Sequence, residues 1–145
     1  MNLHYLPDIN FWLALNVPSH AHHARVMEWA GNDTAFTLYF CRYTQQGLLR
    51  LSTTAAVTSI YGEKPLTNRT ALKRMGELLD DPRVHFAPEP ADLYTQWSAL
   101  AEVSTSSPKL WMDAYLAAFA MAGGFRLITI DKGFKQFKGL NALVL

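Results

Sequence analysis

Short runs of aliphatic, β-branched and aromatic residues recur along this chain, and longer stretches with helical spacing lie between most of them. That alternation constrains the fold more than any other feature. Parallel strands need long connections between neighbours, and helical connections cover both faces of the sheet they join. Strands are expected at residues 3–7, 35–40, 84–87, 126–130 and 142–145. Helices are expected over 9–16, 20–30, 42–51, 67–79, 91–103 and from 108 to 121 or 122. Ser19, Thr67 and Ser107 read as N-caps, with Pro108 in a first helical position, and Gly123-Gly124 reads as a helix end. Gly31-Asn32-Asp33 ends the second helix. Residues 52–66, which include Gly62 and Pro65, read as a loop or a short irregular helix. The expected architecture is α/β, with three layers (α/β/α) around a central, mainly parallel sheet, in a single domain spanning 1–145.

At 145 residues with 50% hydrophobic composition, such a domain can bury its own core without staples. The single Cys41 excludes an intramolecular disulfide. No segment joins a basic start to an uninterrupted apolar core, so neither secretion nor a membrane span is expected, and a cytoplasmic location is the default. The formal net charge of +1 argues neither for nor against nucleic acid. Its local distribution says more. Lys132, Lys135 and Lys138 follow Asp131, while Arg42 and Arg50 flank another candidate segment; the ordinary reading of each is a solvated face.

Three aspartates stand where a metal-dependent reaction could use them. Asp8 and Asp131 each follow an apolar run, and on neighbouring parallel strands their carboxylates emerge at the carboxyl edge, where open α/β sheets bind ligands. Asp113 lies near the start of a helix rich in alanine, at 114, 117, 118, 120 and 122, which can pack close to the sheet. An acid set among Trp111, Met112, Ala114 and Tyr115 needs a partner if it is buried. Three carboxylates in one crevice suit a hard cation such as Mg2+ or Mn2+. The competing reading is that an aspartate after a strand only caps a helix or turn. His20, His22 and His23 invite zinc, but they lack the spacing of i, i+4 ligands. Phe11, Trp12, Trp29 and Trp97 fall at apolar positions of helices and are expected in the core.

Several segments in this order resemble the PIN-domain ribonucleases, and among them the VapC-type toxins of bacterial toxin-antitoxin pairs. They are Tyr5-Leu6-Pro7-Asp8-Ile9-Asn10, Pro18-Ser19-His20, Thr44-Gln45-Gln46-Gly47-Leu48-Leu49-Arg50-Leu51, Trp111-Met112-Asp113-Ala114-Tyr115-Leu116-Ala117-Ala118 and Leu127-Ile128-Thr129-Ile130-Asp131-Lys132-Gly133-Phe134. The resemblance implies a PIN-like α/β/α fold, Mg2+- or Mn2+-dependent endoribonuclease activity, a cognate antitoxin and a homodimer. By position, Asp8, Asp113 and Asp131 look like acidic metal-site residues of the family. Where the family commonly has a glutamate directly after the threonine, this chain has Gln45, which keeps an oxygen donor but loses a charge. Glu63, Glu77 and Glu102 lie in no matching motif and read as surface residues.

On this resemblance, the expected reaction is hydrolysis of an RNA phosphodiester, with Gln45 orienting water or substrate. Thr129 is expected to hydrogen-bond a ligand carboxylate or the scissile phosphate, Arg50 and Lys132 to contact phosphates, and Trp111 is a candidate RNA contact. Pro7 removes a backbone donor at a strand tip, where that is tolerated. Two other functions fit the same residues: a silent binding module that lost turnover through Gln45, and a nuclease that processes DNA or structured RNA. An antitoxin would lay a helix or extended arm over the apolar helices near the amino end and push a basic side chain into the acidic crevice. The helix around 44–51, with Gly47, is the expected dimer surface.

Overall fold

Tyr5 and Leu6 point to opposite faces of the first strand, and what each meets divides the molecule into its layers. The computed structural model describes residues 3–32 and 35–145. Its sheet contains β1 (Leu3–Pro7), β2 (Phe36–Phe40), β3 (Val84–Phe86), β4 (Arg126–Thr129) and β5 (Ala142–Val144). They run in the order β3-β2-β1-β4-β5, and every pairing is parallel. The helices are α1 (Ile9–Asn16), α2 (His23–Gly31), α3 (Arg42–Ser52), α4 (Ala55–Thr58), α5 (Asn68–Asp80), α6 (Leu93–Ala101) and α7 (Leu110–Gly123). The three-layer α/β/α expectation holds, with a wholly parallel sheet.

Because side chains alternate along a strand, β1 and β4 each feed two cores. Tyr5 and Ile128 join Phe11, Trp12, Val26, Leu48 and Met75 from α1, α2, α3 and α5. Leu6 and Leu127 join Leu93, Ala117, Ala118 and Phe119 from α6 and α7 on the other face. Trp12 stacks on Phe40 with ring centroids 3.8 Å apart. Ala114, Ala117, Ala118 and Ala120 are fully buried, so small side chains do let α7 lie close to the sheet. The chain steps outward from β1 to β2 to β3, then crosses back to place β4 on the other side of β1. That reversal opens a crevice at the carboxyl ends of β1 and β4.

Local chemistry moves some boundaries. Ser19 does not cap α2: its hydroxyl donates to Glu63 Oε1 at 3.3 Å, and the helix begins at His23 with His22 in the cap position. Thr67 does cap α5, its hydroxyl accepting the Thr70 amide at 3.1 Å. Asp92 takes a left-handed φ of 62°, so α6 begins at Leu93 rather than at 91. Ser107 and Pro108 stay outside α7; the Ser107 hydroxyl bonds that of Thr105 at 3.0 Å, and Lys109 occupies the cap position. The irregular stretch 52–66 holds the short α4 and a 3-10 turn that ends at Gly62 with φ 72°. Asp33, the last residue of the expected helix stop, lies outside the described residues.

Gly47 is not the surface residue expected of a dimer interface. It is buried, and a β-carbon there would stand 2.6 Å from Ile9 Cγ1 and 3.2 Å from Ile9 Cγ2, so its small size lets α3 sit against α1 of the same chain. Gly47→Ala is expected to destabilise the fold by about 1–2 kcal/mol despite alanine's better helix propensity. Part of that loss should return in an Ile9→Ala background, measured by urea unfolding as a double-mutant cycle. A Gly47→Ala protein as stable as the parent would contradict this packing.

Candidate active site

The carboxyl ends of β1 and β4 are tied by one hydroxyl. The Asp8 amide continues the strand pairing by donating to the Ile128 carbonyl at 3.1 Å. Asp8 then caps α1, its Oδ1 accepting the Phe11 amide at 2.9 Å. Its other oxygen, Oδ2, accepts the Thr129 hydroxyl at 2.6 Å. Thr129 Oγ1 in turn accepts the Asp131 amide at 2.9 Å, and Asp131 Oδ1 accepts the Gly133 amide at 2.8 Å, capping a 3-10 turn over Lys132–Gln136. Both aspartates are therefore caps as well as candidate ligands: the local role fixes the carboxylate and leaves further lone pairs free.

Asp113 enters from the first turn of α7. The three acids sense one another. Burial raises the Asp8 carboxyl from its ordinary 3.8 to about 6, the Thr129 and Phe11 hydrogen bonds hold it down, and Asp131 and Asp113 push it further up. Burial also raises Asp113, with Lys109 opposing and Asp131 adding to the rise. Lys109 Nζ lies 3.5 Å from Asp131 Oδ2 on a side chain that is 79% exposed, a pair that water screens heavily. The cluster thus holds more negative charge than its neighbours neutralise. That donor chemistry fits a hard divalent cation. Among the described residues no three His, Cys, Asp or Glu side chains converge on one point. As the side chains stand, at most two such groups would touch one ion and water would complete its shell, an arrangement that Mg2+ favours.

The other expected site residues divide. Thr129 is fully buried with its hydroxyl committed to Asp8 and the Asp131 amide, so it has no exposed atom for the phosphate contact expected of it. Gln45 is buried at the start of α3, and its Oε1 accepts Arg42 Nη1 at 2.7 Å. Arg42 also lies over the Phe86 ring, 4.7 Å from its centroid. Arg50 and Lys132 are exposed. Two further groups reach the crevice. Lys109 stands one helical turn before Asp113, a spacing that would have flagged it. Tyr43 is half-buried; burial raises its phenol, Asp113 and Asp8 add to the rise, and Arg50 opposes it. In the sequence only its place beside Thr44 marked it out. The α3 start is itself fixed by Thr44, whose hydroxyl accepts the Cys41 amide and donates to the Cys41 carbonyl, both at 3.0 Å.

Residues 5–140 match the model of the PIN domain. The chain belongs to the PIN-domain family, in its VapC branch. It is 46% identical over 142 residues to Ribonuclease VapC41 of Mycobacterium tuberculosis, covering 97% of both chains. Ribonuclease VapC38 of the same organism is 29% identical over 133 residues, 88% of this chain and 85% of that protein. Among solved structures, a chain of VapBC-1 from nontypeable Haemophilus influenzae superposes with a TM-score of 0.64 at 15% identity, over 98% of both chains. A chain of VapBC2 from Rickettsia felis, solved bound to a promoter DNA fragment, gives 0.60 at 13% identity over 99% of both. These two likenesses show that the PIN fold is shared.

The buried Asp8 of this PIN domain makes a measurable electrostatic prediction. Its folded carboxyl titrates above the unfolded one, so the folded state holds a proton between about pH 4 and 6 that the unfolded chain releases. Stability of the metal-free protein should therefore fall as pH rises through that window, by on the order of 2–3 kcal/mol. Asparagine also caps helices and accepts hydrogen bonds. Asp8→Asn should accordingly flatten the profile and melt above the parent at pH 7.5 in chelator. A variant that melts below the parent there would contradict an uncompensated buried charge at Asp8.

Proposed function

We propose that this VapC-type protein is the toxin of a type II toxin-antitoxin pair and acts as a Mg2+- or Mn2+-dependent endoribonuclease. One observation carries the reading: Asp8, Asp113 and Asp131 act on one another electrostatically, short of neutralising charge, near the point where the strand order reverses, in a chain 46% identical to a protein named as a ribonuclease. The cation, when bound, supplies a Lewis acid that lowers the pKa of the attacking water and offsets charge on the phosphate. Asp8, Asp113 and Asp131 are the residues that would hold it, directly or through water. Thr129 holds Asp8 in position and does not touch substrate. Arg50, Lys109 and Lys132 place cationic side chains near the crevice for RNA phosphates. Tyr43, half-buried at the start of α3, is a further candidate to meet the substrate backbone.

The toxin half of this reading needs a surface for an antitoxin. A mainly apolar cavity of about 220 Å³ lies between α1, α3 and α5, lined by Leu13, Val17, Leu48, Leu49, Leu66 and Met75 among others. It suits an amphipathic helix or arm, whose basic side chain would compete at the crevice with the cation. A homodimer belongs to the same reading. With Gly47 used inside the chain, Ile60 (74% exposed) and Leu72 (61%) are among the apolar side chains open to it. Among the described residues no helix is long and apolar enough to cross a membrane. RNA as substrate is consistent with action in the cytoplasm.

Purified, antitoxin-free protein incubated with total RNA should cut it only when Mg2+ or Mn2+ is present. Asp8→Asn should lower the rate by more than about hundredfold while remaining folded, because the interaction removed is worth several kcal/mol. Folded protein that leaves RNA intact with either cation would overturn the nuclease. The engagement of Gln45 by Arg42 favours one alternative, a silent binding module, and Gln45→Glu separates the two. If the parent is an active enzyme, Gln45→Glu should tighten Mn2+ binding by up to about tenfold in calorimetry and change turnover modestly. Activity that exists only in Gln45→Glu would favour the silent module.

A further inference from the structure

Five aromatic rings form a row whose last member, Tyr43, is the one already placed at the acidic crevice. Tyr94 and Trp97 on α6 stand edge to face, with centroids 6.1 Å apart. Trp97 meets Trp111 at 6.3 Å and Tyr115 at 6.0 Å, both on α7 and one turn apart. Tyr115 meets Tyr43 of α3 at 5.6 Å, and Tyr43 lies within electrostatic reach of Asp113 and Asp8. Trp111 and Tyr115 stand two residues either side of Asp113 on α7, so the row passes beside that candidate acid.

Core packing accounts for only part of this row. Tyr94 is 74% exposed and Trp111 57%, although large aromatic rings gain most from burial. Edge-to-face contacts hold each ring by its neighbour; Trp97, Tyr115 and Tyr43 pack against the core, and Tyr94 and Trp111 carry the exposed ring surface. The row is also braced: Trp97 Nε1 donates to the Trp111 carbonyl at 2.8 Å, and the Tyr115 hydroxyl donates to Glu89 Oε1 at 3.0 Å. Tyr94 and Trp111 flank an open cleft of about 990 Å³ whose other walls include Ser98, Thr105, Ser106 and Ser107. Lys109 stands between this cleft and Asp131.

We propose that Tyr94, Trp97, Trp111, Tyr115 and Tyr43 form a stacking surface that carries single-stranded RNA into the crevice; this rests on the ribonuclease reading for its choice of ligand. Every nucleobase presents a π-face, so a row of rings beside cationic side chains binds a strand without demanding one sequence. The cleft mixes these hydroxyls with Ala99, Val103 and Pro108 and carries one carboxylate, Glu102, so the hydroxyls near Trp111 and the Lys109 ammonium are the groups that suit ribose and phosphate. Continuity with Asp113 and Asp8 favours a substrate strand over a ligand that acts elsewhere. The exposed rings would hold bases flanking the scissile phosphate, with Trp111 the principal platform because its ring is both large and open.

The test uses metal-free protein in chelator, which separates binding from cleavage, and a labelled, unstructured mixed-sequence RNA of about ten nucleotides, within the range of single-strand sites. Trp111→Ala is expected to weaken binding between about fivefold and a hundredfold by anisotropy, the loss of one stacked base. Trp111→Phe should restore most of it, and Tyr94→Ala, at a more exposed ring, should show a smaller loss with the fold intact by circular dichroism. Equal affinity in the parent and Trp111→Ala would overturn the proposal, as would a parent that does not bind this RNA at low salt. Trp111-dependent binding by a protein that cuts no RNA with Mg2+ or Mn2+ would sustain the stacking surface and remove the nuclease. Metal-dependent cleavage with KM unmoved in Trp111→Ala would do the reverse.

Discussion

The 2.6 Å hydrogen bond from the Thr129 hydroxyl to Asp8 carries more of the structure than its strength suggests. It joins the carboxyl ends of β1 and β4 where the sheet reverses direction, and it satisfies a buried carboxylate with a neutral donor. A lysine or arginine in that place would have neutralised Asp8 and closed the site to a cation. A hydroxyl and a backbone amide satisfy the geometry and leave the charge. The same hydroxyl accepts the Asp131 amide, so one side chain sets the positions of two acids. A buried polar network of this kind is stable only when each member is satisfied.

That arrangement sets stability against function. Burial and two like charges raise the Asp8 carboxyl to about 6, so near neutral pH the fold carries a carboxylate it would more readily hold protonated. Lys109 relieves the strain only partly, because its ammonium is exposed and pairs with Asp131 rather than with Asp8. A divalent cation would offset the repulsion more fully than one mobile ammonium. Metal binding to such a site would therefore also stabilise the fold.

Much of the fold was legible because β1 and β4 each end at an aspartate, and because the alanines of α7 announce a helix that lies against the sheet. Thr129 was visible as a neighbour of Asp131, but its commitment to Asp8 was not, since the two lie 121 positions apart. Lys109 was visible four residues before Asp113, but its approach to Asp131, 22 positions away, was not. Ser19 misled in the same way: a good capping residue was drawn to Glu63 across the fold. Gly47 was read as surface because its neighbour Ile9 comes from a different helix. In each case the deciding partner lies far off in the sequence, which single-chain patterns do not encode.

Gln45 and Arg42 show how one substitution redistributes charge. The Arg42 guanidinium reaches the Gln45 oxygen at 2.7 Å and rests over Phe86, so it is held in place without being neutralised. A glutamate at position 45 would pair with Arg42 and cancel its charge within the same turn of α3. With glutamine, that positive charge survives beside the carboxyl end of β2, the strand next to Asp8. Under the nuclease reading it has two opposed consequences: it lowers the attraction of the crevice for a cation and raises its attraction for a phosphate. On that reading Gln45 does more than lack a carboxylate, because it holds Arg42 by a hydrogen bond that leaves the guanidinium charge in place.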